Sequence, residues 1–336
     1  MGTDVLKDHG GNINAARALY PAAPEPWIDL STGINGVPYA VGEISSDAWN
    51  RLPEPADLAE LEAAARAAYA APPAAEIVAA PGTQAIIQIL PRLARAARVG
   101  IVGPTYSEHA KSWRSHGATV IDVAAWTELE DCDVGVIVNP NNPDGRLIAP
   151  DILAKLAAAF AARGGLLVVD EAFMDVIDPP QSLIPALPAA GVAVLRSFGK
   201  TYGLAGLRLG FLVGSSGLVA ALRAAMGPWA VSGPAIGIGR RALADRPWLA
   251  GTTRRLADDS RRLDDLLRSA GFTLLGGTPL FRLVGSDLAE RWFETLCRHG
   301  ILVRPFGARK NLLRFGIPGD QPAWARLAAA LNGAAN

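Results

Sequence analysis

Lys200 lies in the run Ser197-Phe198-Gly199-Lys200-Thr201-Tyr202-Gly203-Leu204-Ala205-Gly206-Leu207-Arg208, just after an apolar stretch and among small residues. A desolvated lysine is biased toward its neutral amine, the form that condenses with a carbonyl, and small neighbours leave room for a flat aldehyde. Arg208 follows eight positions on and offers a planar fork for phosphate, with Ser197 adding a hydroxyl. Asp170 closes the apolar run Val168-Val169-Asp170, where an acid is costly unless it has a partner. A protonated ring nitrogen would be such a partner and would make that ring an electron sink. A helix N-cap or a core ion pair would also satisfy Asp170.

Three further stretches carry suitable chemistry. Ala80-Pro81-Gly82-Thr83-Gln84 opens a helical run over 84–90, and a glycine, a hydroxyl and free helix N–H groups make an anion site. Tyr106, after Val102-Gly103-Pro104-Thr105, is placed either to stack on a flat ring or to pack in the core. In Val138-Asn139-Pro140-Asn141-Asn142-Pro143-Asp144-Gly145, an amide could reach a phenolic oxygen or a substrate carboxylate, although Asn and Pro clusters also simply mark loops.

These residues need strands to deliver them. Short β-branched runs at 99–103, 134–138, 166–170, 192–197 and 211–213 read as strands buried on both faces, with helical periodicity at 152–163 and 218–226 between them. The alternation predicts an α/β fold with a mostly parallel sheet covered by helices. In such sheets ligands collect where carboxyl ends of strands meet helix N-termini. A long helix over 249–270 then leads into short strands at 273–275, 281–284, 301–303 and 312–316, with helices at 288–299 and 323–331, which predicts a smaller α+β domain. The expected division is an N-terminal arm over 1–48, a large domain over 49–241 and a small C-terminal domain over 242–336. The proline-rich arm is expected to wrap across the other two.

Composition sets bounds. Formal net charge is zero with 19% charged residues, and half of the residues are hydrophobic, so the chain is globular and shows no basic surface for nucleic acid. Arginine outnumbers lysine among the 32 basic residues, which suits phosphate and carboxylate recognition and is equally explained by base composition. The two cysteines, Cys132 and Cys297, have no metal-ligand spacing and no disulfide framework. No apolar run is long enough to span a bilayer and no signal core opens the chain, so the expected setting is the cytoplasm, with no membrane partner and no metal.

The order of these motifs, with Lys200 thirty residues after Asp170, resembles that of the fold-type I pyridoxal-phosphate enzymes. Within them the chain is similar to the class I and II aminotransferases along essentially its whole length, most of all to the histidinol-phosphate aminotransferase-like group. The resemblance implies that Lys200 binds the aldehyde of pyridoxal 5'-phosphate and Asp170 pairs with its ring nitrogen. It also implies that Asn142 reaches the ring hydroxyl, that Tyr106 stacks on the ring, and that Gly82, Thr83, Ser197 and Arg208 hold the phosphate. Arg314, in Leu312-Leu313-Arg314-Phe315-Gly316, matches the family's arginine for the substrate carboxylate, and Arg304 matches a second substrate-side arginine.

Asp8-His9-Gly10-Gly11-Asn12, Trp27 to Asn35, and Gly227-Pro228-Trp229-Ala230-Val231-Ser232-Gly233-Pro234 resemble the L-threonine-O-3-phosphate decarboxylases of cobalamin biosynthesis. That resemblance implies a small phosphorylated amino acid as substrate, a homodimer, and His9, Asn12 and Asn35 on the substrate side with Asn142. Two departures stand out. Phe173 replaces the tyrosine that many members carry three residues after the aspartate, and Leu52 replaces a tyrosine that reaches the partner subunit's cofactor phosphate. An aminotransferase acting on histidinol phosphate with 2-oxoglutarate uses nearly the same residues, and a non-catalytic cofactor-binding protein is the alternative from another class.

Overall fold

The structure, a computed structural model, describes residues 3–6 and 9–333. Asp8, first of the Asp-His-Gly-Gly-Asn motif, lies outside the described residues. In chain order the strands begin with β1 (Ile28–Asp29), β2 (Glu76–Ala80), β3 (Arg98–Val102), β4 (Thr119–Val123) and β5 (Val134–Val138). They continue with β6 (Leu166–Asp170), β7 (Val192–Ser197), β8 (Gly210–Gly214), β9 (Thr273–Thr278) and β10 (Phe281–Gly285). The last three are β11 (Ile301–Leu302), β12 (Arg304–Pro305) and β13 (Leu312–Gly316).

The chain divides into two compact units, one of residues 39–250 and one of residues 1–38 with 251–336. This division differs from the boundaries expected from sequence. The first 38 residues join the C-terminal part because β1 pairs in parallel with β11, and Leu30 N–H donates to the Leu302 carbonyl at 2.8 Å. Such pairing is invisible to local periodicity. The upper boundary falls inside the helix Arg246–Ser269, whose change of texture is gradual.

The larger unit is built on a seven-stranded sheet in the order β2-β8-β7-β6-β5-β3-β4. The five strands from β7 to β4 in that order run parallel, whereas β8 is antiparallel to both β7 and β2. The sheet is buried on both faces because successive side chains alternate across it. Val192 and Val194 of β7 pack into one apolar cluster with Val169 and Phe211, while Ala193 and Leu195 pack into the other with Val168 and Leu212. Helices such as Pro150–Ala162, with Leu153, Ala157 and Phe160 on one side, cover the sheet. Strands β2 and β4 go beyond the sequence expectation; β4 has only Val123 fully buried and so lacks a continuous apolar signal.

The smaller unit holds an antiparallel sheet in the order β12-β13-β10-β9. The helix Ala289–Arg298 buries Trp292, Phe293, Leu296 and Cys297, an i, i+1, i+4, i+5 stripe that accounts for its amphipathic character. Among the described residues no helix is long and apolar enough to cross a membrane, and no group of three or more His, Cys, Asp or Glu could hold a metal ion.

Candidate active site

Parallel strands carry their functional residues at their carboxyl ends, and here Asp170 ends β6 and Ser197 ends β7. Asp170 is buried, and its Oδ2 lies 2.9 Å from Nε2 of His109, itself buried in the helix Ser107–Ser115. Its Oδ1 accepts from the Ala172 N–H at 3.1 Å. A carboxylate has about four lone-pair sites, so these two bonds orient Asp170 and leave capacity for a further donor. The sequence reading did not single out His109. Its signal was modest: a histidine three residues after Tyr106, hence on the same helical face.

The anion cradle is assembled from distant segments. Gly82 has φ +85°, a conformation that side-chain residues rarely adopt, and it lies against the Arg208 guanidinium, whose Nη2 would be 2.7 Å from a Cβ there. Thr83 opens the helix Thr83–Leu93, whose N-terminus has no side-chain cap and thus presents N–H groups outward. Gly210 packs against it, since a Cβ there would lie 2.6 Å from the Thr83 nitrogen. Arg208 itself adopts φ +54°, a left-handed conformation costly for a side-chain residue, and its Nη1 donates to the Ala205 carbonyl at 3.0 Å. Uncapped N–H groups, a close backbone approach and a guanidinium fit a phosphate monoester.

Tyr106 joins the cradle to Asp170. Its hydroxyl donates to Gln84 Oε1 at 3.1 Å, and its ring meets the His109 ring edge-on at 6.2 Å. Burial, then the charges of Glu108 and Asp170, push the Tyr106 phenol up to about 12, so it stays a neutral donor. Asn142 is half-buried in a loop fastened to the Tyr106 segment: Asn141 Nδ2 donates to the Pro104 carbonyl at 3.0 Å and Arg146 Nη2 to the Gly103 carbonyl at 3.2 Å. Asn141 Oδ1 and Thr105 Oγ1 are buried with no partner among the described residues. Lys200 lies in the short helix Phe198–Thr201, its Nζ 5.7 Å from the centroid of the buried Phe173 ring. Orphaned polar atoms, the cradle and a lysine against an apolar ring together fit a planar phosphorylated aldehyde.

The five remaining residues from the sequence reading belong to the smaller unit. Arg304 and Arg314 stand directly opposite each other on β12 and β13. Burial first, then the Arg304 charge, pulls the Arg314 guanidinium down to about 9, with Asp29 pulling the other way. Like charges directly opposite on one ladder repel, and the Asp29 charge offsets part of that repulsion. Arg314 Nη2 donates to the Ser31 carbonyl at 2.6 Å, and Ser31 Oγ receives the Gly11 N–H at 2.8 Å. Ser31, not singled out from sequence, thus ties Gly11, next to His9 and Asn12, to Arg314. Asn12 Oδ1 accepts from Ala15 N–H at 3.3 Å as the cap of the helix Ile13–Leu19. Asn35 is buried, and its Oδ1 accepts from Val37 N–H at 3.1 Å and Arg255 Nη2 at 2.7 Å. Those two amides therefore carry structural bonds, and His9 is exposed.

Known proteins share this architecture. The fold is similar to the histidinol-phosphate aminotransferase of Sinorhizobium meliloti in complex with pyridoxal-5'-phosphate, with TM-score 0.84 and 20% identity, covering 97% of this chain and 94% of that one. The sequence is 44% identical over 331 residues to the threonine-phosphate decarboxylase of Pseudomonas aeruginosa, covering 98% of both chains. It is 43% identical over 328 residues to that of a Sinorhizobium species, covering 96% of this chain and 97% of the relative. Residues 40–331 match the model of aminotransferase class I and II. With that match spanning most of its length, the chain belongs to the class I and II aminotransferase family.

Proposed function

We propose that this chain is a pyridoxal-phosphate-dependent carboxy-lyase that converts L-threonine O-3-phosphate to (R)-1-amino-2-propanol O-2-phosphate in cobalamin biosynthesis. The observation that carries the reading is the end-to-end likeness to two threonine-phosphate decarboxylases. Lys200, Asp170 and the Gly82–Arg208 cradle support it. Bound pyridoxal phosphate supplies an electron sink for the pair released when a bond to the substrate α-carbon breaks.

The protein's residues do the rest. Lys200 would hold the cofactor aldehyde and, once its amine is free, would hold a proton at Nζ beside the substrate. Asp170, oriented by His109, keeps a proton on the ring nitrogen. The N–H groups at Thr83, with Ser197 and Arg208, hold the cofactor phosphate. Arg304 and Arg314 would receive and orient the α-carboxylate, and that orientation would select which bond to the α-carbon is activated. Phe173 offers no hydroxyl to the ring oxygen where many relatives have tyrosine. Asn142 takes that oxygen, and His9, Asn12 and Asn35 belong to the substrate side. The enzyme works as a cytoplasmic homodimer.

The test is incubation of the cofactor-loaded protein with L-threonine O-3-phosphate and no keto acid, following carbon dioxide and the amine. Stoichiometric aminopropanol phosphate is the expected result. Absence of product, with amino exchange between histidinol phosphate and 2-oxoglutarate, would move the chain to the aminotransferases. Lys200→Ala should lose the cofactor band near ~420 nm and at least ~10³-fold of turnover.

A further inference from the structure

Directly behind Asp170 and Ser197 lies a buried charge cluster that the reaction does not use. Arg196, adjacent to Ser197 on β7, is 4% exposed; Glu171, adjacent to Asp170, is fully buried. Arg196 Nη1 donates to Glu171 Oε2 at 2.9 Å, and its Nη2 donates to Asp175. Glu171 also accepts from Ser182 Oγ at 2.6 Å and Leu183 N–H at 2.8 Å. The guanidinium stacks 4.3 Å from the Tyr69 ring. Burial pulls Arg196 down, but Asp175 and Glu171 outweigh it and hold the guanidinium charged.

Three features give this cluster a purpose beyond stability. Replacing a buried ion cluster by apolar side chains is often neutral or stabilising, so stability alone does not require it. It begins where the backbone ladder ends: β6 and β7 are paired up to Asp170 and Leu195, and Glu171 N–H donates to the Leu195 carbonyl at 2.9 Å. Past that point the Glu171–Arg196 pair carries the link between strand ends. Alternation along β7 also puts Arg196 on the face opposite Ser197, with Val192 and Val194, so it grips the sheet from behind. Its second arm reaches Asp175, two residues beyond Phe173, and Met174 N–H donates to the Glu171 carbonyl at 3.1 Å. The turn that presents Phe173 to Lys200 is thereby pinned as well.

We propose that Glu171, Arg196 and Asp175 are positioning residues: they lock the carboxyl ends of β6 and β7 so that Asp170, Phe173 and the Ser197–Lys200 segment keep a fixed geometry. This rests on the cofactor role given above to Asp170 and Lys200. Two variants test it. Arg196→Lys keeps one charge but cannot fork to two carboxylates, and Glu171→Gln/Asp175→Asn/Arg196→Met removes all three charges while preserving volume.

Amide hydrogen exchange on the cofactor-free protein should accelerate at least ~10-fold at Glu171–Met174 and Phe198–Lys200, with distant strands unchanged. In the cofactor-loaded protein, induced circular dichroism of the ~420 nm band should change, and kcat should fall at least ~10-fold with KM within ~2-fold. If the triple variant does not fold, Arg196→Lys decides alone. Exchange that is unchanged or rises uniformly, or wild-type dichroism and kcat in a folded variant, would overturn the proposal. Should the wild type release no carbon dioxide from threonine phosphate, the exchange pattern still decides the positioning role, because it needs neither substrate nor cofactor.

Discussion

The two units handle buried charge in opposite ways. In the larger one Asp170 faces His109, and Arg196 faces both Glu171 and Asp175. In the smaller one Arg304 and Arg314 face each other across a ladder, with the Ser31 carbonyl as a neutral acceptor for Arg314. Compensated charges add little net stability, because desolvation offsets their attraction, but their directed bonds are useful for holding geometry. A like-charged pair facing across a ladder carries mutual repulsion, offset in part here by Asp29, and under the proposed function an anionic substrate would relieve more of it. The larger unit sets its buried arginine between carboxylates, and the smaller one sets two arginines opposite each other.

That contrast can be broken by experiment. The largest effect belongs to Arg196→Leu, which strands two buried carboxylates and should cost about 3–5 kcal/mol of folding stability, measured by denaturant unfolding. The matching change, Arg314→Leu, removes one of two facing guanidinium groups, whose mutual repulsion Asp29 offsets in part. Stability should hold or rise, while kcat/KM for the phosphorylated amino acid falls about 100-fold, or about 2.7 kcal/mol. Equal destabilisation by both substitutions would erase the distinction.

A pH titration sharpens it. The Arg314 pKa in the folded protein, about 9, lies below its ordinary value of 12.5, so the buried charge opposes folding below about 9 and this opposition eases as pH rises. Under the proposed function the charged form is the one that would bind carboxylate. Substrate affinity should therefore be full below pH 9 and weaken as pH rises through it, seen as a rising KM in a pH series. A KM flat to pH 10.5 would show that the pair is already compensated. The smallest effect concerns a backbone contact: Gly82→Ala should lower affinity for pyridoxal phosphate about 10-fold through strain at φ +85° and collision with Arg208, read by absorbance titration.

Much of the large unit was legible because it obeys local rules. Runs of Val and Ile marked β5, β6 and β7 at their observed positions, and the residues that end them followed. Sequence left β4 unmarked because its side chains are only partly buried, and the antiparallel course of β8 because direction depends on the connection, not on composition. A strand-end acid needs a partner on chemical grounds; that His109 is one partner of Asp170 depends on a helix packing over the sheet, which sequence does not show.

Residue types and their order, through their resemblance to the fold-type I pyridoxal-phosphate enzymes, pointed to the fold class and to Lys200, Asp170 and the segments around Gly82 and Arg208 as candidate site residues. Tertiary structure alone decided three things. Ile28–Asp29 pairs with Ile301–Leu302, Arg304 stands opposite Arg314, and Arg196 grips Glu171 and Asp175 behind the sheet. Each depends on contacts between segments far apart in sequence, and such contacts are set by burial and pairing of the whole chain, to which local periodicity is blind.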